Sequence, residues 1–545
     1  MQNNYGTYTP MPNRRQLAGT FRVARSSVAL ACALLSLLTG CMVGPKYHTP
    51  PSVAQTAPPA YKEVPPAVAP GTAAAQPAAA DDTAGDWKVA QPQDAMLRGK
   101  WWEVFNEPEL NGLEDQLNIN NQNIKQFFEQ FMESRAIIAE ARSQLYPTLT
   151  AGPSYSRTRS SSNLGSQATT TTATSSTTAN TNSASNLTEL PLDLSWEPDL
   201  WGKIRNTIHS DQYASQVSAA DLENERLTEQ ATLAETFFDL RGQDALVKIF
   251  TDTVAADQKT LDLTRSLYDT GIDDQISVVQ AVNTLQQAQA TLTGLEVARA
   301  QFEHAIAVLI GTNPSAFSIP VKPVLTAPPP IPVGLPSMLL ERRPDVAAAE
   351  RTMASANALI GVADAAYYPD LTLSAGGGFE SSAFKNLFKW SSRFWSIGPS
   401  VSETIYDAGL RRAEVNQSIS TYNADVASYR QTVLTAFQQV EDSLVGVRVL
   451  SQEIRQQQAA LASAQQALTL ELGRYETGID PYLDVVIAQN TLLSDQQTLA
   501  SLQITQMTDT VQLVQALGGG WDASQLPTPA QVTKKLTKAE TAIEK

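Results

Sequence analysis

The chain has 545 residues, a formal net charge of −16, 42% hydrophobic but only 7% aromatic residues, and two cysteines, Cys32 and Cys41. The acidic balance excludes nucleic acid as a partner, and two cysteines confined to the first 41 positions exclude a disulfide framework for the body. Beyond residue 41 no segment offers about 20 consecutive apolar residues, so no helix is expected to cross a bilayer.

In chain order, Arg14, Arg15, Arg22 and Arg25 precede "SSVALACALLSLLTGC", an apolar run too short for a permanent span. Residues 1–40 therefore read as a secretory signal peptide. The ending Leu38-Thr39-Gly40-Cys41 resembles the bacterial lipobox, which implies cleavage before Cys41 and a covalent N-acyl and S-diacylglycerol lipid on that residue. An ordinary signal peptide with an incidental cysteine is the other reading. Loss of four arginines takes the mature charge to about −20. A lipid anchor alone leaves the body soluble unless the chain also contributes strands to the membrane.

Residues 41–86, rich in Pro, Ala and Thr, read as an extended linker. The body divides into a first repeat, 87–311, and a second, 344–520, joined by a Pro-rich connector, 312–343. The tail, 521–545, is charged and expected to fray. Each repeat begins with a helical stretch that stops at a Tyr-Pro pair, Tyr146-Pro147 and Tyr368-Pro369.

Two alternating segments follow each pair. Leu190, Leu192, Leu194 and Trp196 alternate with Glu189, Asp193, Ser195 and Glu197; Trp395, Ile397 and Val401 alternate with Ser396, Ser400 and Ser402. Such segments suit transmembrane β-strands and equally a half-buried soluble hairpin. Between the first two strands the Ser/Thr-rich run "SYSRTRSSSNLGSQATTTTATSSTTANTNSASN" cannot form a core and reads as an external loop.

Proline is then absent from Asp199 to Asn313 and from Ser400 to Asp480, which predicts continuous helices over Ile204–Ser266 and Arg412–Arg474, each about 95 Å long. Each runs into the same turn. "YDTGIDDQISVVQAVNTL" from Tyr268 and "YETGIDPYLDVVIAQNTL" from Tyr475 are identical at 11 of 18 positions. Glycine ends the helix there, Asp273 or Asp480 is placed to cap the next, and a shorter helix of about 35 residues returns. Two long helical hairpins result, with narrow Ala-rich apolar stripes that suit packing around a polar hollow. Four strands cannot close a barrel and an open edge cannot survive in lipid, so two, three or four copies must share one.

These features resemble the TolC-like outer-membrane factors, and within them the NodT-type lipoprotein branch serving resistance-nodulation-division efflux pumps. The residues that carry the resemblance are "GLPSMLLERRPDVAAAE" (Gly334–Glu350), the lipobox followed by "MVGPKY", and the doubled tips. The resemblance implies an α+β membrane protein: a homotrimer with a 12-stranded transmembrane β-barrel, four strands per chain, continued by a 12-helix periplasmic α-barrel. It implies an exit duct in the outer membrane of a Gram-negative bacterium, with a periplasmic adaptor protein and an inner-membrane resistance-nodulation-division transporter as partners.

Residue by residue, Thr270, Gly271, Ile272, Thr477, Gly478 and Ile479 match adaptor-contacting turns. Asp484 and Ile487 match the two positions of a periplasmic gate, where relatives carry two aspartates. The basic latch between neighbouring subunits corresponds to Asp480, so the latch is not retained in that form. Pro344 and Asp345 of "ERRPDV" read as the start of a helix. No cofactor, metal site or enzyme constellation is expected: His48, His209 and His304 are isolated, and neither glycine run has the setting of a phosphate loop. A lipid-anchored periplasmic coiled-coil or adaptor without a pore would share the helices and linker, but it has no need of the strand pairs.

Overall fold

The computed structural model describes residues 42–50, 61–63, 99–159, 184–323, 327–331 and 339–534. The signal peptide, Cys41, most of the linker, residues 160–183 of the Ser/Thr-rich run and the last 11 residues lie outside them. The elements are α1 (Pro108–Asn120), α2 (Gln122–Ser143), β1 (Thr148–Ala151), β2 (Ser154–Thr158), β3 (Ser185–Trp196), α3 (Lys203–Asp269) and α4 (Gln275–Leu309). The second repeat supplies α5 (Pro344–Ala365), β4 (Asp370–Ser381), β5 (Arg393–Ser402), α6 (Leu410–Glu476) and α7 (Tyr482–Ala516). The long helices α3 and α6 each run 67 residues and the return helices α4 and α7 each run 35, so the predicted hairpins form in full.

The chain makes two compact units. One holds the described parts of 42–47, 137–211 and 355–422. Its sheet is antiparallel in the order β1-β3-β4-β5, with β2 also paired to β3. The first of the four expected strands is thus interrupted into β1 and β2. The break falls at Gly152-Pro153, where proline has no N–H to give to the ladder. Helices join the sheet at one end only. There the Trp196 indole donates to the Leu145 carbonyl at 3.0 Å, and Trp201 stacks on Tyr368 at 4.7 Å while donating to the Pro369 carbonyl at 2.9 Å. The two Tyr-Pro pairs therefore mark where helix becomes sheet.

The other unit is helical and takes the described parts of 48–136, 212–354 and 423–545. Its most buried polar element is an ion network at the base of the first hairpin. Asp244, fully buried on α3, accepts from Arg241 Nη1 at 2.9 Å, from Arg299 Nε of α4 at 2.7 Å and from the Lys322 backbone N–H at 2.9 Å. Arg241 also reaches Glu109 and the Pro320 carbonyl, and Arg299 reaches Glu303 and the Ile319 carbonyl. The connector is thereby fastened to α1, α3 and α4. One repeat later, Arg448 of α6 pairs with Glu63 at 2.6 Å.

Residues 61–63 lie within the stretch expected to be a free linker, and they are docked. Tyr61 is buried, and the Glu441 carboxylate accepts from the backbone N–H groups of Lys62 and Glu63 at 2.8 and 3.2 Å. The aromatic ring of Tyr61 is what allows this part of the stretch to pack. The start of the tail is also held, against expectation. Val532 is buried at the end of a short capped turn, Arg135 donates to the carbonyls of Val532 and Lys534, and Gln216 donates to that of Pro527. Most of the tail's charge lies beyond residue 533, which is why its near part can dock.

"ERRPDV" is a junction, as its composition indicated. Pro344 opens α5, and Arg343 grips Asp345 through two hydrogen bonds of 3.0 and 2.6 Å while donating to the Ala516 carbonyl that ends α7. Gly518, at φ +94°, passes so close to Arg342 that a Cβ would stand 2.0 Å from its carbonyl oxygen. Only glycine fits.

Candidate functional site

The register of the sheet sorts its side chains onto two faces, because directly paired residues share a face. Leu149 pairs with Leu194, Leu194 with Ala375, Ala375 with Ile397, and Trp196 with Leu373. One face is therefore apolar from edge to edge, and Leu149, Trp395, Ile397 and Val401 on it are each at least two-thirds exposed. The opposite face carries Thr150, Asp193, Ser374 and Ser396. Beside the helical end stand exposed Tyr146, Ile405 and Tyr406; at the far end stand Phe388, Trp390 and Trp395. An apolar band between two aromatic girdles is the outer surface of a membrane barrel. The same alternation in a soluble hairpin would be covered by a core.

At the tips, both long helices end alike. Ile272 N–H donates to the Leu267 carbonyl and Gly271 N–H to that of Tyr268; Ile479 donates to Arg474 and Gly478 to Tyr475 in the same way. These paired bonds need a left-handed residue, supplied by Gly271 at φ +76° and Gly478 at φ +72°. The Thr270 and Thr477 hydroxyls fold back onto carbonyls of the preceding turn. Ile272 and Ile479 are left pointing outward, 62% and 67% exposed.

The two tips lie side by side: a Cβ on Gly478 would stand 3.4 Å from Ile272 Cγ2, whereas one on Gly271 would meet open space. All six predicted tip residues are therefore brought into one exposed patch.

The expected caps differ from those seen. In the first tip the cap is Asp274, which accepts from the Ser277 N–H at 3.0 Å; in the second, Pro481 holds the cap position without a side-chain bond. Asp273 is released to cross the hairpins, accepting from the Tyr475 hydroxyl at 2.6 Å, with Thr264 Oγ1 3.0 Å from the same hydroxyl. Burial, and after it the Asp273 carboxylate, hold the Tyr475 phenol well above its ordinary value, so it remains a donor. Asp273 was expected as a cap and Tyr475 as the start of the repeated turn; their bond across the hairpins was not expected from sequence. The signal was present as the repeated Tyr and Asp, but only Tyr475 is buried; Tyr268 is 44% exposed.

Asp480 is engaged within its own chain, by Arg474 Nε at 2.5 Å and Nη2 at 2.9 Å. Asp484 and Ile487 line one shallow groove of about 290 Å³ with Glu471, Ala464, Ala467, Ala488 and Thr491. Burial, and then the neighbouring Asp480 carboxylate, push the Glu471 carboxyl up. The structure thus brings the two predicted gate positions together and adds Glu471 to them.

Above the tips, Asp257 of α3 is buried and its Oδ2 has no hydrogen-bond partner among the described residues. One turn along, Thr260 Oγ1 accepts from Gln489 Nε2 of α7 at 3.1 Å, and Gln489 Oε1 is likewise unpartnered. Burial pushes Asp257 up to about 6. It also pushes Tyr482, on the facing turn of α7, up to about 12, with the Asp257 charge as a second cause. A carboxyl whose folded value exceeds its unfolded one stabilises the packed helices below the unfolded value, and that contribution is lost as the pH rises through about 6. Asp257→Asn should therefore raise the melting temperature near neutral pH and flatten its dependence between about pH 4 and 6. The gain is on the order of 1–2 kcal/mol once solvent screening is allowed for. Parallel pH curves for the two proteins would show that the packing of α3 on α7 does not depend on this carboxyl.

Residues just after Cys41 are held beside the helical end of the sheet. Val43 N–H donates to the Trp201 carbonyl at 3.0 Å, and Asn206 Nδ2 donates to the Val43 carbonyl at 2.8 Å. Gly44 lies against Gly361 so closely that a Cβ on it would stand 2.5 Å from the Gly361 Cα.

The family described as Outer membrane efflux protein matches residues 113–312 and 335–519. The chain is 30% identical over 510 residues to the toluene efflux pump outer membrane protein TtgF of Pseudomonas putida, covering 92% of this chain and 99% of that protein. It is 29% identical over 441 residues to the pyoverdine export outer membrane protein OpmQ of Pseudomonas aeruginosa, covering 80% and 90%. Among solved structures it resembles the outer-membrane channel OprN, with a TM-score of 0.75 and 26% identity over 88% of this chain and all of that one. The Campylobacter jejuni CmeC outer membrane channel shares the fold, with a TM-score of 0.73 at 21% identity over 92% of this chain and all of that one.

Proposed function

Because the chain belongs to the outer membrane efflux protein family and is an outer-membrane channel of efflux pumps, we propose that three copies of it share one barrel and form the exit duct of a tripartite system. The observation that carries this reading is the sheet itself, apolar and exposed on one face and open at both edges. In lipid those edges must be paired, and further copies of β1, β2 and β5 are the available partners. The helical hairpins then extend into the periplasm, with the patch around Ile272 and Ile479 facing a periplasmic adaptor and, through it, an inner-membrane resistance-nodulation-division transporter. Lipidation of Cys41 is supported by the strap that follows it, whose Val43 is hydrogen-bonded beside the helical end of the sheet.

The copy number is tested by the mass of the purified mature protein in detergent. Three chains are expected; a single chain contradicts the shared barrel, and two or four contradict the trimer.

At the periplasmic end Asp480 is neutralised by Arg474, which leaves Asp484 and Glu471 as the acidic groups of the groove. Three such grooves near one axis would attract multivalent cations. Trivalent cations on the periplasmic side of a planar bilayer should block the wild-type channel, and Asp484→Ala should weaken that block. Equal block in both would remove Asp484 from the aperture.

A further inference from the structure

At the end of the sheet away from the helices, the β4–β5 connection is built from two short 3-10 turns, Phe384–Asn386 and Trp390–Ser392, around the buried Leu387. On this fixed scaffold Phe384, Phe388 and Trp390 are exposed by 75, 68 and 78%. Phe388 folds edge-on against Phe379 of β4, with ring centroids 5.5 Å apart. Arg393 pairs in register with Phe379, so it stands on the apolar face, and its guanidinium lies 3.6 Å from the Trp390 ring centroid. Lys385 and Lys389 flank the same rings, and none of the three cations forms an ion pair among the described residues.

The carboxylates at this end go the other way. Glu380 pairs with Glu189 on the opposite, polar face. The Glu380 and Glu189 carboxylates thus lie on the polar face, while Arg393 and bare aromatic surface lie together on the apolar one. Rings without a covering core suit the boundary between acyl chains and headgroups, and long cationic side chains there reach up to the charged layer.

We propose that this hairpin end is a binding surface for an anionic phosphate on an outer-leaflet lipid headgroup. The rings seat in the acyl boundary, and Lys385, Lys389 and Arg393 take the phosphate by charge-assisted hydrogen bonds. The inference rests on the sheet being the membrane barrel, which places this end at the outer leaflet.

The test uses the purified full-length mature protein in mixed micelles with diphosphorylated lipid A or its dephosphorylated form, and measures lipid retained per chain by native mass spectrometry. The wild type should retain the phosphorylated form preferentially. The Lys385→Gln, Lys389→Gln, Arg393→Gln triple variant should lose roughly fivefold per cation, on the order of a hundredfold in all. Equal retention of the two lipids by the wild type, or undiminished retention by the variant, would overturn the proposal. If the variant fails to assemble, the wild-type comparison decides alone. Bilayer conductance of the same wild-type preparation separates the premises. A conducting protein without phosphate preference overturns this inference only, and one that never conducts overturns the barrel reading and this inference with it.

Discussion

Gly478→Trp is expected to abolish efflux in a complementation assay while leaving the protein assembled and inserted. The left-handed backbone at φ +72° disfavours any side chain by about 1–2 kcal/mol, a cost the long hairpin can absorb. The first added atom would touch Ile272 at ordinary contact distance, so the turn itself survives. The remaining indole would project from the exposed patch formed by Ile272 and Ile479, the surface proposed to face the adaptor. Gly478→Ala separates the two effects, because it carries the backbone cost without the bulk and should retain most export. Full export by Gly478→Trp with normal adaptor crosslinking would mean that the tips do not meet the partner. Loss of export by both variants would assign the glycine to the turn alone.

Asp244→Ala should be the most damaging single change in the helical unit. Asp244 is fully buried and neutralises Arg241 and Arg299 together while accepting the Lys322 N–H of the connector. Removing it leaves Arg241, itself almost wholly buried, with Glu109 as its remaining carboxylate partner, and frees the connector from the base of the hairpin. Breaking such a buried network costs about 3–5 kcal/mol. The loss should appear as a large drop in the thermal midpoint of the assembled protein and in its yield from membranes. Asp244→Asn should recover only part of it, since the amide can still accept but carries no charge. A midpoint within a degree or two of the wild type would show that the connector is held by other contacts.

Much of this architecture was legible in the residues. Long proline-free spans and a glycine turn written twice define two hairpins, and the structure has them to within three residues at either end. Period-two alternation located the strands. It could not decide between a soluble and a membrane sheet, because that depends on what covers the apolar face, and coverage is a property of the fold. The tip residues were legible because Thr-Gly-Ile recurs in register.

What the sequence hid lies where the two repeats diverge. Asp273 and Asp480 are equivalent by repeat, yet one bonds Tyr475 across the hairpins and the other pairs with Arg474 in its own. Tyr268 and Tyr475 are likewise equivalent, and only the second is buried. Local pattern sets the turn; packing against the other hairpin decides which copy faces inward. The Asp244 network was hidden for the same reason, since its members come from distant parts of the chain and no spacing joins them.

The most direct test of the central claim is the conductance of the purified mature protein in a planar bilayer. A channel formed by a fixed number of copies predicts discrete steps of one uniform size. A protein that binds the bilayer firmly but never conducts would contradict the account, and would return the chain to a lipid-anchored coiled coil without a pore.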